Sequence, residues 1–289
     1  MATSTAFKKF LEAGKNDSRV LGPADRYVLT KPRDDSRRTD VLHPSEMSKY
    51  SSWCHRAAYF QITGEAVHNT RQYGLQTHMV FEEGHMIHDK WQRLFAQMGV
   101  LYGTWMCARC DTKVWGMAYP ECPNGHGTIK KYKEVPLILD RLHFGGAADG
   151  WLIGLGEPML LEIKSVGEGT FRFEAPEMLA EANNDFKVAW KNLKTPFSAH
   201  IYQAQIYLKL IELINEETPY EFPVPQEICF LYEAKPTQET KEFFIPKSDF
   251  GITEIFAAAE MIARCVLEKT PPVCNIMGAE KCKNCKDYQ

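Results

Sequence analysis

No apolar run in these 289 residues approaches the roughly 18 needed to cross a bilayer, and the opening MATSTAFKKFLEAGKNDS lacks the apolar core of a secretory signal. A cytoplasmic protein that enters no membrane is the expectation. A surplus of one charge is missing too. The formal charge of -3 excludes indiscriminate attraction to polyanions, although a carboxylate-built site can be acidic overall and basic only along a groove. No internal repeat occurs, which excludes a solenoid. With 44% apolar and 12% aromatic residues the chain is globular, long enough for one large core or for one core with a small inserted module.

Cysteine is present in quantity and clustered. The chain has nine, and without an export signal clustered cysteines more often bind metal than form disulfides. Cys107-Ala-Arg-Cys110 followed by Cys122-Pro-Asn-Gly-His126 offers two short turns with two ligands each, the spacing of a zinc knuckle pair. Four such ligands fill a tetrahedron and leave no open position, so the expected zinc is structural. Cys229 and Cys265 sit in apolar segments and read as buried small hydrophobes.

Residues 1–43, polar and broken by proline, read as an extended or mobile arm. Residues 44–100 read as a helical part, with a helix start at Ser45 and a longer helix over about 75–98. The stretch 101–131 loses periodicity and gains Cys, Gly and Pro, as a zinc-binding insertion would. Residues 132–270 read as the main domain, with strands near 133–140, 146–155 and 158–165 forming a small meander. A helix at 199–216, strands at 226–234 and 239–246, and a helix at 252–268 follow. Residues 167–198 resist assignment, with a mobile loop over the site as the expectation, and 271–289 read as a cysteine-rich tail. The fold class is α/β, a central mixed sheet flanked by helices.

The chemistry concentrates in Gly146-Ala-Ala-Asp149 on one strand and Glu162-Ile163-Lys164 on the next. Residues two apart in a strand share a face, so Glu162 and Lys164 point one way and Ile163 the other. Two carboxylates beside a lysine suit Mg²⁺ or Mn²⁺. The expected chemistry is metal-assisted hydrolysis of a phosphodiester, Lys164 orienting water or stabilising the transition state.

The pattern resembles the RecB-like branch of the PD-(D/E)XK nucleases, and the likeness covers roughly residues 44–285. The branch's Gly-x-x-x-His motif is matched by Gly84 and His88, with His85 a competing candidate, and its Gln-x-x-x-Tyr motif by Gln203 and Tyr207. The resemblance implies a restriction-endonuclease-like core. It also implies Mg or Mn held by His88, Asp149, Glu162 and the Ile163 carbonyl, and a catalytic set of Asp149, Glu162, Lys164, Gln203 and Tyr207. Iron-sulfur members of the superfamily, of CRISPR-associated and AddB type, clasp a 4Fe–4S cluster with one cysteine before the domain and three after it. Cys54, Cys274, Cys282 and Cys285 are similarly arranged, although the tail's Cys-x7-Cys-x2-Cys spacing departs from the family's Cys-x2-Cys-x5-Cys. Four thiolates suit either that cluster or zinc.

The implied activity is that of a deoxyribonuclease, an exonuclease on single strands or DNA ends in recombination, repair or viral replication. A trimming nuclease of CRISPR adaptation is the second reading, and a non-catalytic DNA-binding module the third. The partners implied are DNA and a recombination, helicase or integrase protein, in a bacterial, archaeal or phage-host cytoplasm. Lys130, Lys131, Lys133, Lys187, Lys191 and Lys194 are candidate phosphate contacts, and Trp190 a candidate for stacking on a base.

Overall fold

The computed structural model describes residues 20–30, 38, 40–65 and 73–276. The chain divides into two compact units, the described residues of the first being 20–30 and 73–85. In this unit helix α1 (Leu21–Thr30) carries Pro23 in its first turn, where a missing N–H costs nothing. The Asp25 carboxylate accepts the Leu75 N–H at 2.7 Å, and Tyr73 meets Phe81 edge-on. Part of the expected arm is therefore helical.

The second unit, 38, 40–65 and 86–276 in described residues, holds the sheet. Its strands are β1 (Leu101–Met106), β2 (Lys113–Met117), β3 (Lys131–Lys133), β4 (Val135–Leu139), β5 (Phe144–Ala148), β6 (Gly150–Leu152), β7 (Met159–Val166), β8 (Glu227–Ala234) and β9 (Thr240–Pro246). The larger sheet runs β2-β1-β6-β7-β8-β9, with β3 on β1, and β4-β5 form a second, two-stranded sheet. Among the named strands only β7 and β8 pair in parallel. Parallel pairing demands a crossover, and 167–226 supply it. β7 and β8 are buried on both faces and read as near-continuous apolar runs, whereas β9 alternates as a strand with one wet face does.

The helices are α2 (Pro44–Met47), α3 (His55–Ile62), α4 (Leu75–Gln97), α5 (Glu168–Glu174), α6 (Pro176–Glu181), α7 (Phe186–Asn192), α8 (Ser198–Glu217) and α9 (Ile252–Glu268). In the second unit Ile87, Trp91 and Phe95 of α4 pack with Leu161 and Ile163 on one face of the sheet. On the other face Leu160 packs with Ile206, Tyr207 and Leu210 of α8. No helix among the described residues is long and apolar enough to cross a membrane.

Three expectations change. Residues 167–198 are not a loose loop. They fold as α5, α6 and α7, broken at Pro176 and at Asn183-Asn184, both left-handed, and they bury Phe171, Leu179 and Trp190. Short segments of that kind carry too few turns for a helical period to register. Trp190, 4% exposed, stacks on Phe186 under the Lys241 ammonium and is not available to a base. The segment 101–131 also does more than decorate the core. Its first strand pairs with β6, and Leu101 and Trp105 are fully buried, so the ribbon extends the main sheet.

The meander is interrupted as well. The strand expected at 146–155 breaks at Asp149: β5 pairs with β4, β6 pairs with β7, and the chain passes between sheets through Gly150 at φ +143°. A side chain at Gly150 would be strained and would meet the Tyr132 hydroxyl at 2.6 Å.

Candidate active site

The break between sheets sets the geometry. Gly150 pairs with Leu161, so Asp149 comes level with Glu162 on the adjoining strand. Asp149, only 5% exposed, is held at every oxygen. Its Oδ2 accepts the Ile163 N–H at 2.6 Å, its Oδ1 lies 3.0 Å from His88 Nδ1, and its backbone carbonyl accepts from the Tyr132 hydroxyl and the Gln92 amide. His88 is the histidine that meets Asp149, while His85 is exposed.

A third group completes this cluster. Glu134, between β3 and β4, places Oε1 3.9 Å from His88 Nδ1, and one ligand atom from each of His88, Glu134 and Asp149 lies within 4.8 Å of the others. Desolvation by the groups around it, then the charge of Asp149, pushes the partly exposed Glu134 carboxyl up to about 7. Burial works against a charged His88, but the charge and hydrogen bond of Asp149 outweigh it and the net shift is upward. Crowded carboxylates that resist ionisation together are a site short of positive charge, and a cation relieves that. Two carboxylates and one imidazole form a donor set suited to a divalent metal.

Glu162 and Lys164 form a buried pair beside it. The Lys164 ammonium lies 2.7 Å from Glu162 Oε1 and donates to Gln203 Oε1 at 3.1 Å, while the Gln203 amide donates to the Tyr207 hydroxyl at 3.3 Å. Burial raises Glu162 and would lower Lys164, but the glutamate's charge outweighs burial at the lysine and leaves it cationic. The i, i+4 spacing of Gln203 and Tyr207 on α8 thus delivers both toward the dyad. The structure brings together Asp149, Glu162, Ile163, Lys164, His88, Gln203 and Tyr207. Glu162 faces Lys164, and Glu134 stands with His88 and Asp149 instead.

Glu134, Gln92 and Tyr132 were not legible as site residues. Glu134 follows Lys130-Lys131-Tyr132-Lys133 and reads as one more solvated charge. Only pairing of β3 with β1 carries it to Asp149.

At the far end of β1 the ribbon gathers Cys107, Cys110, Cys122 and His126, whose ligand atoms also lie within 4.8 Å of one another. The Cys107 and Cys122 sulfurs stand 3.7 and 3.8 Å from His126 Nδ1, and the Cys110 and Cys122 sulfurs 3.7 Å apart. A tetrahedron with metal–sulfur bonds of about 2.3 Å has edges of about 3.8 Å, so the four ligands fit a zinc-sized ion. The Thr112 hydroxyl, then the Asn124 amide, pulls the Cys110 thiol down to about 5, toward the thiolate a metal requires. The metal's identity is open.

Cys54, buried, caps α3, its sulfur accepting the Ala57 N–H at 3.4 Å. Asn275 reaches this turn from the tail, accepting from the His55 N–H and donating to the Trp53 carbonyl, each at 2.9 Å. The tail next to Cys274 is thereby fixed against Cys54. Cys282 and Cys285 lie outside the described residues. Cys229 is buried, its thiol pushed up by burial to about 12, and the half-buried Cys265 approaches the Met261 sulfur.

No protein-family model matches the chain, and no curated protein does. Its backbone is similar to the crystal structure of SSO0001 at a TM-score of 0.36 and 10% identity, over 91% of this chain and 90% of that one. At that score the likeness fixes neither family nor function, and the functional reading rests on the site itself.

Proposed function

We propose that the protein is a divalent-metal-dependent nuclease that hydrolyses DNA phosphodiesters with a PD-(D/E)XK-type centre. The observation that carries this is the juxtaposition of the His88–Glu134–Asp149 cluster with the Glu162–Lys164 pair and its Gln203 and Tyr207 supports. His88, Asp149 and Glu134 would hold Mg²⁺ or Mn²⁺, with Glu162 next to them. Such an ion, when bound, supplies charge neutralisation at the phosphoryl group and lowers the pKa of water.

The chain's own groups do the rest. Lys164, kept protonated by Glu162 and aimed by Gln203, donates to a phosphate oxygen or orients the attacking water. The Ile163 N–H, Tyr132 and Gln92 hold Asp149 in place before substrate arrives, which spares reorganisation during the reaction. Zinc on Cys107, Cys110, Cys122 and His126 would pin the ribbon. A 4Fe–4S cluster on Cys54, Cys274, Cys282 and Cys285 would lock the tail to α3, a reading supported by the Asn275 tie between Cys274 and Cys54.

The test is incubation of anaerobically purified protein with end-labelled single- and double-stranded DNA in Mg²⁺ or Mn²⁺. Metal-dependent degradation that falls about 100-fold or more in Lys164→Ala, as loss of a transition-state donor predicts, supports the reading. DNA left intact by wild-type protein with both metals refutes it.

A further inference from the structure

Beside the Glu162–Lys164 pair lies a group that the chemistry above leaves idle. Lys164 and Tyr232 are register partners on parallel β7 and β8, so their side chains leave the sheet side by side on one face. Tyr232 is fully buried, and its hydroxyl meets two groups: the Phe197 backbone N–H at 3.1 Å and His200 Nδ1 at 2.5 Å. The phenol oxygen accepts from Phe197, and because Tyr232 is fully buried with His200 Nδ1 as the one acceptor its hydroxyl meets among the described residues, its one proton is directed there. Nδ1 is then an acceptor, and the ring proton of a neutral imidazole sits on Nε2.

The ring also stays neutral. Burial first, then the positive charges of Lys164 and Lys49, push His200 down to about 2. His200 lies one turn before Gln203 and two before Tyr207 on α8, the spacing that sets all three on one helical face. The ring is half-buried, and among the described residues no protein atom bonds its Nε2. A neutral imidazole whose Nδ1 is engaged has no basic nitrogen to offer, and its N–H does not ionise in water. What remains to it is donation of one hydrogen bond, from a fixed position, beside a buried ammonium.

We infer that His200 is a substrate-contacting residue, its Nε2–H donating to a phosphate oxygen of the DNA strand next to the one Lys164 addresses, as a neutral donor and not a proton carrier. A phosphate oxygen is the acceptor that suits a neutral donor on the helix face that carries Gln203 to the Lys164 ammonium. The inference rests on the nuclease reading for the identity of the strand, and goes beyond it in naming a contact.

Two variants separate the donor from the packing. In His200→Asn the shorter amide keeps a partner for Tyr232 but has nothing at the Nε2 position, whereas His200→Gln reaches that position with an N–H. Binding of a fluorescein-labelled single strand is followed by anisotropy in EDTA, where no turnover occurs, with circular dichroism melts on each variant. His200→Asn is expected to weaken binding about 10-fold or more, the worth of a hydrogen bond to a charged group, and His200→Gln to keep wild-type affinity within about 3-fold. Equal affinity of wild type and His200→Asn would overturn the inference, as would equal impairment of both variants. In Mn²⁺ the pH profile of cleavage keeps its shape in His200→Gln; loss of a limb would make His200 a proton carrier and refute the assignment. Cleavage of DNA by wild type but not Lys164→Ala tests the nuclease reading separately. Absence of cleavage together with weakened binding in His200→Asn would sink that reading and leave the contact standing.

Discussion

Glu134 shows how the crowding of one carboxylate becomes a property of the protein. Desolvation and the charge of Asp149 push its carboxyl up to about 7 in the fold, above the ordinary glutamate value it recovers on unfolding. The native chain therefore holds a proton that the unfolded chain has released. That contribution is fully present below the unfolded-state value and is lost as pH rises through about 7. Thermal melts of the metal-free protein are expected to fall between about pH 5 and about pH 8, and Glu134→Gln, which never ionises, to flatten that fall. A slope unchanged in Glu134→Gln would show that the carboxylate is not confined with Asp149. Divalent metal reverses the balance by favouring the ionised pair, so the same variant is expected to bind Mn²⁺ more weakly, as calorimetry would read.

Elements carry the next level of control, through helix α4. Glu233, 1% exposed on β8, binds the Lys90 ammonium at 2.5 Å and the Trp91 indole N–H at 2.6 Å, two and three residues after His88. Both bonds fix the rotation of α4 about its axis, and with it the position at which His88 meets Asp149. Glu233→Ala strands the indole and the ammonium, and is expected to cost about 1–3 kcal/mol of stability in denaturant titrations. It should also weaken metal binding although it touches no ligand. A variant that melts earlier yet binds metal as wild type does would confine Glu233 to packing. The ribbon behaves likewise, because β1 pairs both with β2 and β3 and with β6. Cys107→Ser combined with Cys110→Ser is therefore expected to raise hydrogen exchange in β1 and β6 as well as in the two cysteine turns. Exchange confined to the turns would mean that the ribbon is independent of the sheet.

At the scale of the whole chain the question is what ties residue 54 to residue 274. Asn275 already spans the turn around Cys54 with two hydrogen bonds, over more than two hundred residues of sequence. A metal group shared by these cysteines would close a long loop, and long loops gain most from closure. Anaerobic protein is expected to carry iron and, on the ribbon, zinc, and Cys54→Ser to lose the iron and keep the zinc. Elemental analysis of both proteins settles this, and zinc at two sites in wild type, without iron, would replace the cluster with a second zinc.

Elements with a strong apolar pattern, and residues whose chemistry is carried by neighbours along the chain, could be read from the order of residues alone. Helices α8 and α9 and strands β7, β8 and β9 lie where the pattern of apolar residues puts them, the helices and β9 by their repeated period and β7 and β8 as apolar runs of strand length. Glu162 with Lys164, Gln203 with Tyr207, and the four ribbon ligands were legible for the same reason: each set is defined by local spacing. Only tertiary structure decided the rest. Asp149 meets Glu162 because Gly150 lets the chain leave one sheet for another, and Glu134 meets Asp149 because β3 pairs with β1. The three helices of 167–198 are stabilised by burying Phe171, Leu179 and Trp190, which no short-range pattern reports. The proton on His200 depends on a tyrosine from another element and a backbone N–H three residues before it. Contacts of that kind are set by where distant strands and helices dock, and a linear sequence carries their ingredients without their distances.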